Sequence, residues 1–497
     1  MAEQVGYTIR VYAFKTDRTT IEEDWGMLRT KMICTIGPAS EHVDTLKRMI
    51  QAGMTVARLN MAHGELEEHS ARIRNIRQAA SELGTLVPVM LDIKGPEVRI
   101  GKLKEDSVQL KTGEELVLTT EEMLGDASRI SVNYPEMNTV VKPGHRILID
   151  DGLIDLTVQE VSGPDIRCTI MSGGTLKPRK GVNLPGIHTT LPGVTERDIK
   201  HIHFGLSENI EMIAASFVRR GDDIREIRGI LESNGAGHVQ IYSKIENGEG
   251  MDNLDDIIEA SDGIMVARGD LGVEVPIGDV PMLQREMIEK CNRAGKPVIV
   301  ATHMLESMQV NPRPTRSEVS DVANAVLQGA DVVMLSGESA AGKYPVQSVE
   351  TMAAVARKAE QMIDYSAEFN RKMGWKRDGV TEVVSQSAVN SSLVLGAQAI
   401  IAATESGFTA RMISKHRPAA PIIAVTPNKE VLSKICLLSG VIPVLGERAE
   451  STDELFASAA SHALKTGVVK SGDTVVFCAG IPIWQAGTTN LIKITQV

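Results

Sequence analysis

A lysine and two carboxylates follow two short apolar runs that are separated by one helix-length segment. Val239-Gln240-Ile241-Tyr242 leads into Ser243-Lys244-Ile245-Glu246-Asn247, and Gly263-Ile264-Met265-Val266 leads into Ala267-Arg268-Gly269-Asp270. If both runs are neighbouring parallel strands, Lys244, Glu246 and Asp270 stand just past their ends and point into one volume. Two hard-oxygen ligands beside a cation suit a phosphate-handling divalent ion of the magnesium or manganese kind better than zinc.

Such residues need strands to carry them. Short β-branched runs alternate with amphipathic helix-length segments at Lys31–Ile36, Met54–Leu59, Val87–Leu91, Glu211–Ala215, Val239–Tyr242, Gly263–Val266, Pro297–Ala301 and Asp331–Leu335. Eight β/α units predict an α/β fold, a closed (β/α)8 TIM barrel over residues 28–97 and 188–360. The one long gap, residues 98–187, carries short runs and turn signals such as Lys142-Pro143-Gly144 and Asp151-Gly152. It predicts a small β-barrel cap inserted at the functional end of the larger barrel. Beyond residue 360 the runs at 399–402, 422–425, 441–444 and 474–477 predict a C-terminal doubly wound α/β domain over 361–497, built on buried parallel strands.

Composition narrows the function classes. The chain has 497 residues, 42% hydrophobic and 24% charged, with 53 basic and 64 acidic residues and a net charge of −11. That balance argues against nonspecific nucleic-acid binding, which relies on basic surface. No apolar run is long enough for a membrane span. Five widely spaced cysteines without a CxxC read as reduced thiols in a cytoplasmic protein. Residues 1–27 lack the apolar centre of a secretion signal and read as a packed helix or a loose arm.

In a β/α barrel, catalytic groups project from the carboxyl ends of the strands. Here those ends bring Arg58 and Asn60, Asp92 and Lys94, Ser216 to Arg219, Lys244 and Glu246, Arg268 and Asp270, Thr302 and His303, and Ser336 and Glu338. Loops are polar in any protein, so one such end means little. Convergence of cations and carboxylates around the whole ring points to phosphoryl transfer, with Arg58 and Lys244 neutralising the moving charge.

These stretches closely resemble the pyruvate kinase family. Cys34-Thr35-Ile36-Gly37-Pro38-Ala39-Ser40, Ala57-Arg58-Leu59-Asn60, Asp92-Ile93-Lys94-Gly95-Pro96-Glu97, the Lys180–Gly186 segment, Ser243–Asn247, Ala267–Gly272, Asn311–Arg316 and Met334–Glu338 occur in the family's order. The resemblance implies that phosphoenolpyruvate gives its phosphoryl group to ADP, yielding pyruvate and ATP, in a cytoplasmic homotetramer. It implies that Glu246 and Asp270 hold Mg2+ or Mn2+, that Lys244 and Arg58 meet the phosphoryl group, and that Thr302 serves protonation of the enolate carbon. An unperturbed hydroxyl is too weak an acid to do this alone, so Thr302 is expected to work through a relay. The amides of Ala267, Arg268, Gly269 and Asp270 would bind the substrate carboxylate. ADP would lie between barrel and cap, near Thr35, Pro38, Asn60, His63, Arg99 and Lys180.

Several positions depart from the family's pattern. A potassium site is implied at Asn60, Asp92 and Ile93, but Ala62 stands where the family has a ligating serine. Glu97 matches potassium-dependent members, so weakened potassium activation is expected. His303 replaces a glutamine and is read as donating the same hydrogen bond. His63 reads as a packed histidine rather than a metal ligand. Met304 and Met308 have core spacing. Ser336 and Glu338 read equally as support for Thr302 or as caps of the next loop.

In the C-terminal domain, Thr404-Glu405-Ser406-Gly407-Phe408-Thr409 joins a strand to a helix and can cradle an anion. The resemblance makes Thr404, Ser406, Gly407 and Thr409 an effector-phosphate site, with Arg411, Lys415 and the Gly487–Asn490 turn completing it. Glu405 favours a monophosphate over a bisphosphate. No appended phosphohistidine-type domain is expected. Two other readings stay open: a different barrel enzyme acting on phosphoenolpyruvate or an enolate, and a catalytically weakened regulatory paralogue. The nucleotide-side motifs Gly95–Arg99 and Lys180–Gly186 argue against the first, and retention of Lys244, Glu246, Asp270 and Thr302 against the second.

Overall fold

Eight short parallel strands close into a ring: Lys31–Thr35, Val56–Asn60, Val89–Ile93, Met212–Ala215, Gln240–Ile245, Gly263–Ala267, Val298–Ala301 and Val332–Leu335. The structure is a computed structural model that describes residues 28–375, 379–483, 485 and 487–497. The expectation about residues 1–27 lies outside them. Closure is made by the first strand, which pairs with the eighth at Lys31↔Val332 and with the second at Ile33↔Val56.

The alternation of strand side chains divides each run between two cores. Ile33, Val56, Met90, Met212, Tyr242, Met265, Ile299 and Val332 fill the interior of the ring. Their neighbours Met32, Cys34, Ala57, Leu91, Ile213, Ile241, Ile264 and Val298 face the surrounding helices. Each fully buried aliphatic side chain contributes roughly 1.5–3 kcal/mol of transfer free energy. Cys436 and Leu437 of the C-terminal domain join the interior cluster. Arg417 also reaches from that domain to Asp331 at 2.7 Å, just before the eighth strand. All five cysteines are buried and free.

Between the third and fourth barrel strands lies the β-rich insertion. Glu115–Thr119, Arg129–Ser131, Arg146–Ile149, Ile154–Ser162, Asp165–Ser172 and Val182–Asn183 form a six-stranded sheet, and Val108–Leu110 pairs with Gly174–Leu176. Leu116, Leu118, Ile147, Ile149, Leu156 and Ile166 share its own core. The Asp151-Gly152 turn signal marks a left-handed bend: Asp150, Asp151 and Gly152 have φ of 56°, 54° and 83°.

The C-terminal sheet runs Val441–Leu445, Ile422–Thr426, Ala399–Ala403, Thr474–Gly480 and Thr489–Gln496, with helices packed about it. The first four strands are parallel, as expected. The fifth is antiparallel and absent from the sequence reading, which took Gly487–Asn490 as a turn. It lies at the sheet edge and is only partly buried, so it lacks the continuous apolar run that marks a buried parallel strand.

Candidate functional site

Barrel parity places the chemistry. Two residues beyond inward Val56 comes Arg58, two beyond Met90 comes Asp92, and two beyond Tyr242 comes Lys244, with Glu246 two further. From sequence Lys244 is expected past its strand, whereas the strand runs from Gln240 to Ile245 and includes it. Asp92 likewise lies inside the third strand. Neighbouring strands supply backbone partners and the opposite charges supply side-chain ones, so the pleat continues through polar residues.

Arg58 Nε meets Asp92 Oδ2 at 2.7 Å, and its Nη1 donates to Thr35 Oγ1 at 2.7 Å. Lys244 Nζ lies 3.0 Å from Glu246 Oε1 and 3.3 Å from Asp92 Oδ1, and donates to Ser216 Oγ at 2.6 Å. Glu246 Oε2 accepts from the Phe217 amide at 2.5 Å. Burial pulls Lys244 down, but Asp92 and Glu246 outweigh it and hold the ammonium above its ordinary range. Burial pushes Glu246 up to about 7, opposed by Lys244 and reinforced by Asp270. Burial also raises Asp270, which shares a hydrogen bond with Glu246. Among the described residues no three acidic, His or Cys side chains gather as a ready cage. Two carboxylates that repel each other, without a third, fit a hard cation that completes its shell with substrate oxygens and water.

Thr302 follows the seventh strand with φ 63°, and His303 with φ 53°. Two consecutive left-handed residues without glycine store backbone strain of about 1–3 kcal/mol each. Thr302 Oγ1 accepts from the Gly269 amide at 2.9 Å and donates to the Ala301 carbonyl at 2.7 Å. Arg268 donates to the Thr302 carbonyl at 2.5 Å and pairs with Asp321 at 2.5 Å. Ala267 caps a short helix, Arg268–Glu274, so the residues expected to offer amides form its first turn, with Gly269 already engaged. Glu338 accepts from the Leu305 and Ser336 amides at 3.0 and 2.8 Å, thereby capping the turn after Thr302. Met304 and Met308 are core residues, as their spacing predicted.

A cleft of about 380 Å³ separates the insertion from the barrel and reaches the site at Asp270 and Phe217. Its rim includes Glu97, Asp151, Asn183 and Glu274, and Asn183 bridges to Glu274 at 2.9 Å. Arg99 and Lys180 lie beside it: Arg99 bridges Gly181 across the backbone and pairs with Glu97 at 2.7 Å, while Lys180 pairs with Asp150 at 2.7 Å. Thr35, Pro38, Asn60 and His63 do not line the cleft. His63 is exposed, so it is not the packed histidine expected; the buried one is His69, whose Nε2 lies 2.9 Å from the His63 carbonyl. Asn60 Oδ1 accepts from the Ala62 amide at 3.0 Å, and Ile93 is a buried strand residue.

In the C-terminal domain, Thr404 Oγ1 accepts from the Gly407 amide at 2.9 Å, and Gly407 turns the chain into the helix Phe408–Lys415 at φ 85°. Thr409 and Thr489 share a hydroxyl bond of 2.7 Å. Thr404, Ser406, Thr409, Gly487 and Thr488 line a recess of about 20 Å³. Arg411 and Lys415 do not join it. They line a separate cavity of about 530 Å³ with Arg293 and Trp375, and Lys415 pairs with Glu382 at 2.7 Å. The helix is only two turns long, and its later residues rotate away from the loop at its start.

Glu274 is a contributor that the sequence does not announce, and Ser216 and Phe217, expected at the end of the fourth strand, carry there a hydroxyl and an amide role that residue type alone does not assign. Ser216 had one legible signal, inward parity one residue past Ala215.

Comparisons with known proteins bear on the fold and the family. A family model described as pyruvate kinase, barrel domain, matches residues 27–349, and one described as pyruvate kinase, alpha/beta domain, matches residues 382–495. A pyruvate kinase of Bacillus licheniformis is 49% identical over 473 residues, 95% of this chain and 81% of the relative. One of Clostridium acetobutylicum is 46% identical over 472 residues, 95% of this chain and 100% of the relative. The crystal structure of a pyruvate kinase from Cryptosporidium parvum superposes with a TM-score of 0.90 at 41% identity, covering 94% of this chain and 96% of that one.

Proposed function

The chain belongs to the pyruvate kinase family and transfers the phosphoryl group of phosphoenolpyruvate to ADP, giving pyruvate and ATP, and we propose that Lys244, Arg58, Glu246, Asp270 and Thr302 divide that work as follows. The observation that carries this reading is Lys244 held between Asp92 and Glu246 at the carboxyl end of the ring.

Lys244 presents a permanent ammonium to the phosphoryl oxygens and to the enolate left behind, in a site dry enough for that charge to act strongly. Arg58, fixed by Asp92 and Thr35, grips the phosphoryl group from the opposite side. Enzymes of this family generally need magnesium and potassium. Glu246 and Asp270 would hold the divalent ion, which when bound supplies Lewis-acid stabilisation of the substrate oxygens. The amides of Ala267, Arg268 and Asp270 orient the substrate carboxylate, with Gly269 positioning Thr302. The hydroxyl proton of Thr302 is committed to Ala301, so Thr302 passes protons only as one member of a chain. Arg99 and Lys180, at the edge of the insertion, meet the nucleotide phosphates, and Thr35, Pro38, Asn60 and His63 contribute from the barrel rim. Incubation with phosphoenolpyruvate, ADP and Mg2+ should yield pyruvate and ATP in equal amounts. Pyruvate without ATP would instead point to a different barrel enzyme acting on phosphoenolpyruvate, and the absence of both to a regulatory paralogue.

The monovalent site keeps Asn60, Asp92 and the Ile93 carbonyl but has no hydroxyl at Ala62. Potassium should therefore raise turnover by only a few fold over a large organic cation at equal ionic strength, the remaining ligand place being taken by water. Turnover that ignores potassium contradicts this site.

The Thr404–Thr409 loop is the effector site of this reading. Glu405 disfavours a second phosphate by like-charge repulsion, so AMP or a sugar monophosphate should lower the substrate concentration at half-saturation. Activation by a bisphosphate alone would overturn that assignment. By analogy with the family, the assembly is a homotetramer. No described helix is long and apolar enough to cross a membrane.

A further inference from the structure

The insertion is tied to the barrel by two limbs, one leaving after Ile93 and one returning before the helix Glu196–Ser207. Both limbs rest on the same four residues, Ser216-Phe217-Val218-Arg219, which follow the fourth strand. On the outgoing side, Gly95 sits at φ 69°, and a Cβ there would collide with the Ser216 carbonyl oxygen. Its amide donates to Asp198 Oδ1 at 3.1 Å. On the returning side, Arg219 donates to the Thr189 carbonyl at 3.2 Å, to Thr189 Oγ1 at 2.8 Å and to the Leu191 carbonyl at 2.6 Å. Two residues on, a Cβ at Gly193 would lie 2.5 Å from Oδ1 of Asp223, whose other carboxylate oxygen accepts from the Arg219 amide at 2.9 Å.

The same four residues hold the chemistry. Ser216 Oγ accepts from Lys244 and donates to Asp92 at 3.1 Å, and the Phe217 amide donates to Glu246. Phe217 has φ 56°, a left-handed conformation that an aromatic residue keeps only when its surroundings impose it. The imposing contacts are on both sides: Glu246 before it, and Arg219 after it with its carbonyl bonded to Asn253 at 3.0 Å. Phe217 and Arg219 both line the cleft beneath the insertion.

We propose that this loop couples the position of the insertion to Lys244 and Glu246, with Arg219 as a positioning residue for the phosphoryl-transfer step. The proposal rests on the phosphotransferase reading above. A planar guanidinium can hold two carbonyls and a hydroxyl of the returning limb at once, whereas an ammonium is a point donor that cannot span them. Any displacement of the returning limb is borne by Arg219, which holds it at three points. The strained Phe217 turn transmits that displacement to the amide under Glu246 and the hydroxyl under Lys244.

The test uses the full-length enzyme. Arg219→Lys keeps the charge and should lower kcat by about tenfold or more, since small misplacements of catalytic groups carry large rate penalties. The KM for phosphoenolpyruvate should change by less than about threefold, and the divalent activation constant should rise. Hydrogen exchange at the amides of residues 189–191 should quicken. Thr189→Val removes one of the three bonds from the other side; it should lower kcat by about two- to fivefold, non-additively with Arg219→Lys. If Arg219→Lys does not fold, Thr189→Val alone decides. Wild-type turnover in both variants, or losses that simply multiply, would overturn the coupling. An inactive wild-type chain would overturn the phosphotransferase reading instead.

Discussion

Lys244→Met should lower kcat by about 10³-fold or more while the protein still folds, because the variant loses the cation placed between Asp92 and Glu246. Methionine keeps most of the apolar stem of the lysine and removes the ammonium, with its charge and its hydrogen bond to Ser216. Removing one member of a buried ion pair commonly costs about 3–5 kcal/mol, because the partner is left uncompensated. Here the damage is divided. Asp92 keeps Arg58 at 2.7 Å, and Glu246 keeps the Phe217 amide and can take up a proton. The expected pattern is a lowered Tm in metal-free protein, partly restored by Mn2+, with native circular dichroism and near-zero turnover in a coupled pyruvate assay. Turnover within tenfold of wild type would remove Lys244 from the mechanism.

Glu246→Gln and Asp270→Asn should act through the divalent ion. Each amide keeps the shape of the carboxylate, and in Glu246→Gln the side-chain oxygen could still accept from the Phe217 N–H, so the fold is spared. Loss of an outer-shell partner alone weakens metal sites by about 10–100-fold, and loss of a charged ligand should do at least that. The divalent concentration giving half-maximal rate should therefore rise by about tenfold or more in either variant, with kcat/KM for phosphoenolpyruvate falling in step. An unchanged divalent requirement in both would place the ion elsewhere.

Much of the fold was legible because parallel strands buried on both faces leave continuous apolar runs. All eight barrel strands and four strands of the C-terminal sheet appeared this way. Strand ends were less legible. Lys244 and Asp92 look like loop residues in sequence, yet each lies within a strand because opposite charges on neighbouring strands compensate them. The edge strand Thr489–Gln496 was missed since its exposed faces break the apolar run. Within the site, side chains with distinctive chemistry announced themselves, and the motifs around them carried the family resemblance. Contacts made by backbone did not: the Phe217 amide under Glu246 and the Gly269 amide on Thr302 depend on φ values that residue type does not disclose. Arg411 and Lys415 were grouped with the effector loop by proximity in sequence, and helix geometry sends them to another cavity.

The central claim is a division of labour in which Glu246 and Asp270 hold the divalent ion and Lys244 meets the phosphoryl group. Direct Mn2+ titration by electron paramagnetic resonance, on wild type, Lys244→Met and Glu246→Gln without nucleotide, tests it most directly. Lys244→Met should bind Mn2+ within a few fold of wild type although it does not turn over, and Glu246→Gln should lose at least about tenfold in affinity. The reverse pattern, with Mn2+ binding lost in Lys244→Met and kept in Glu246→Gln, would contradict it.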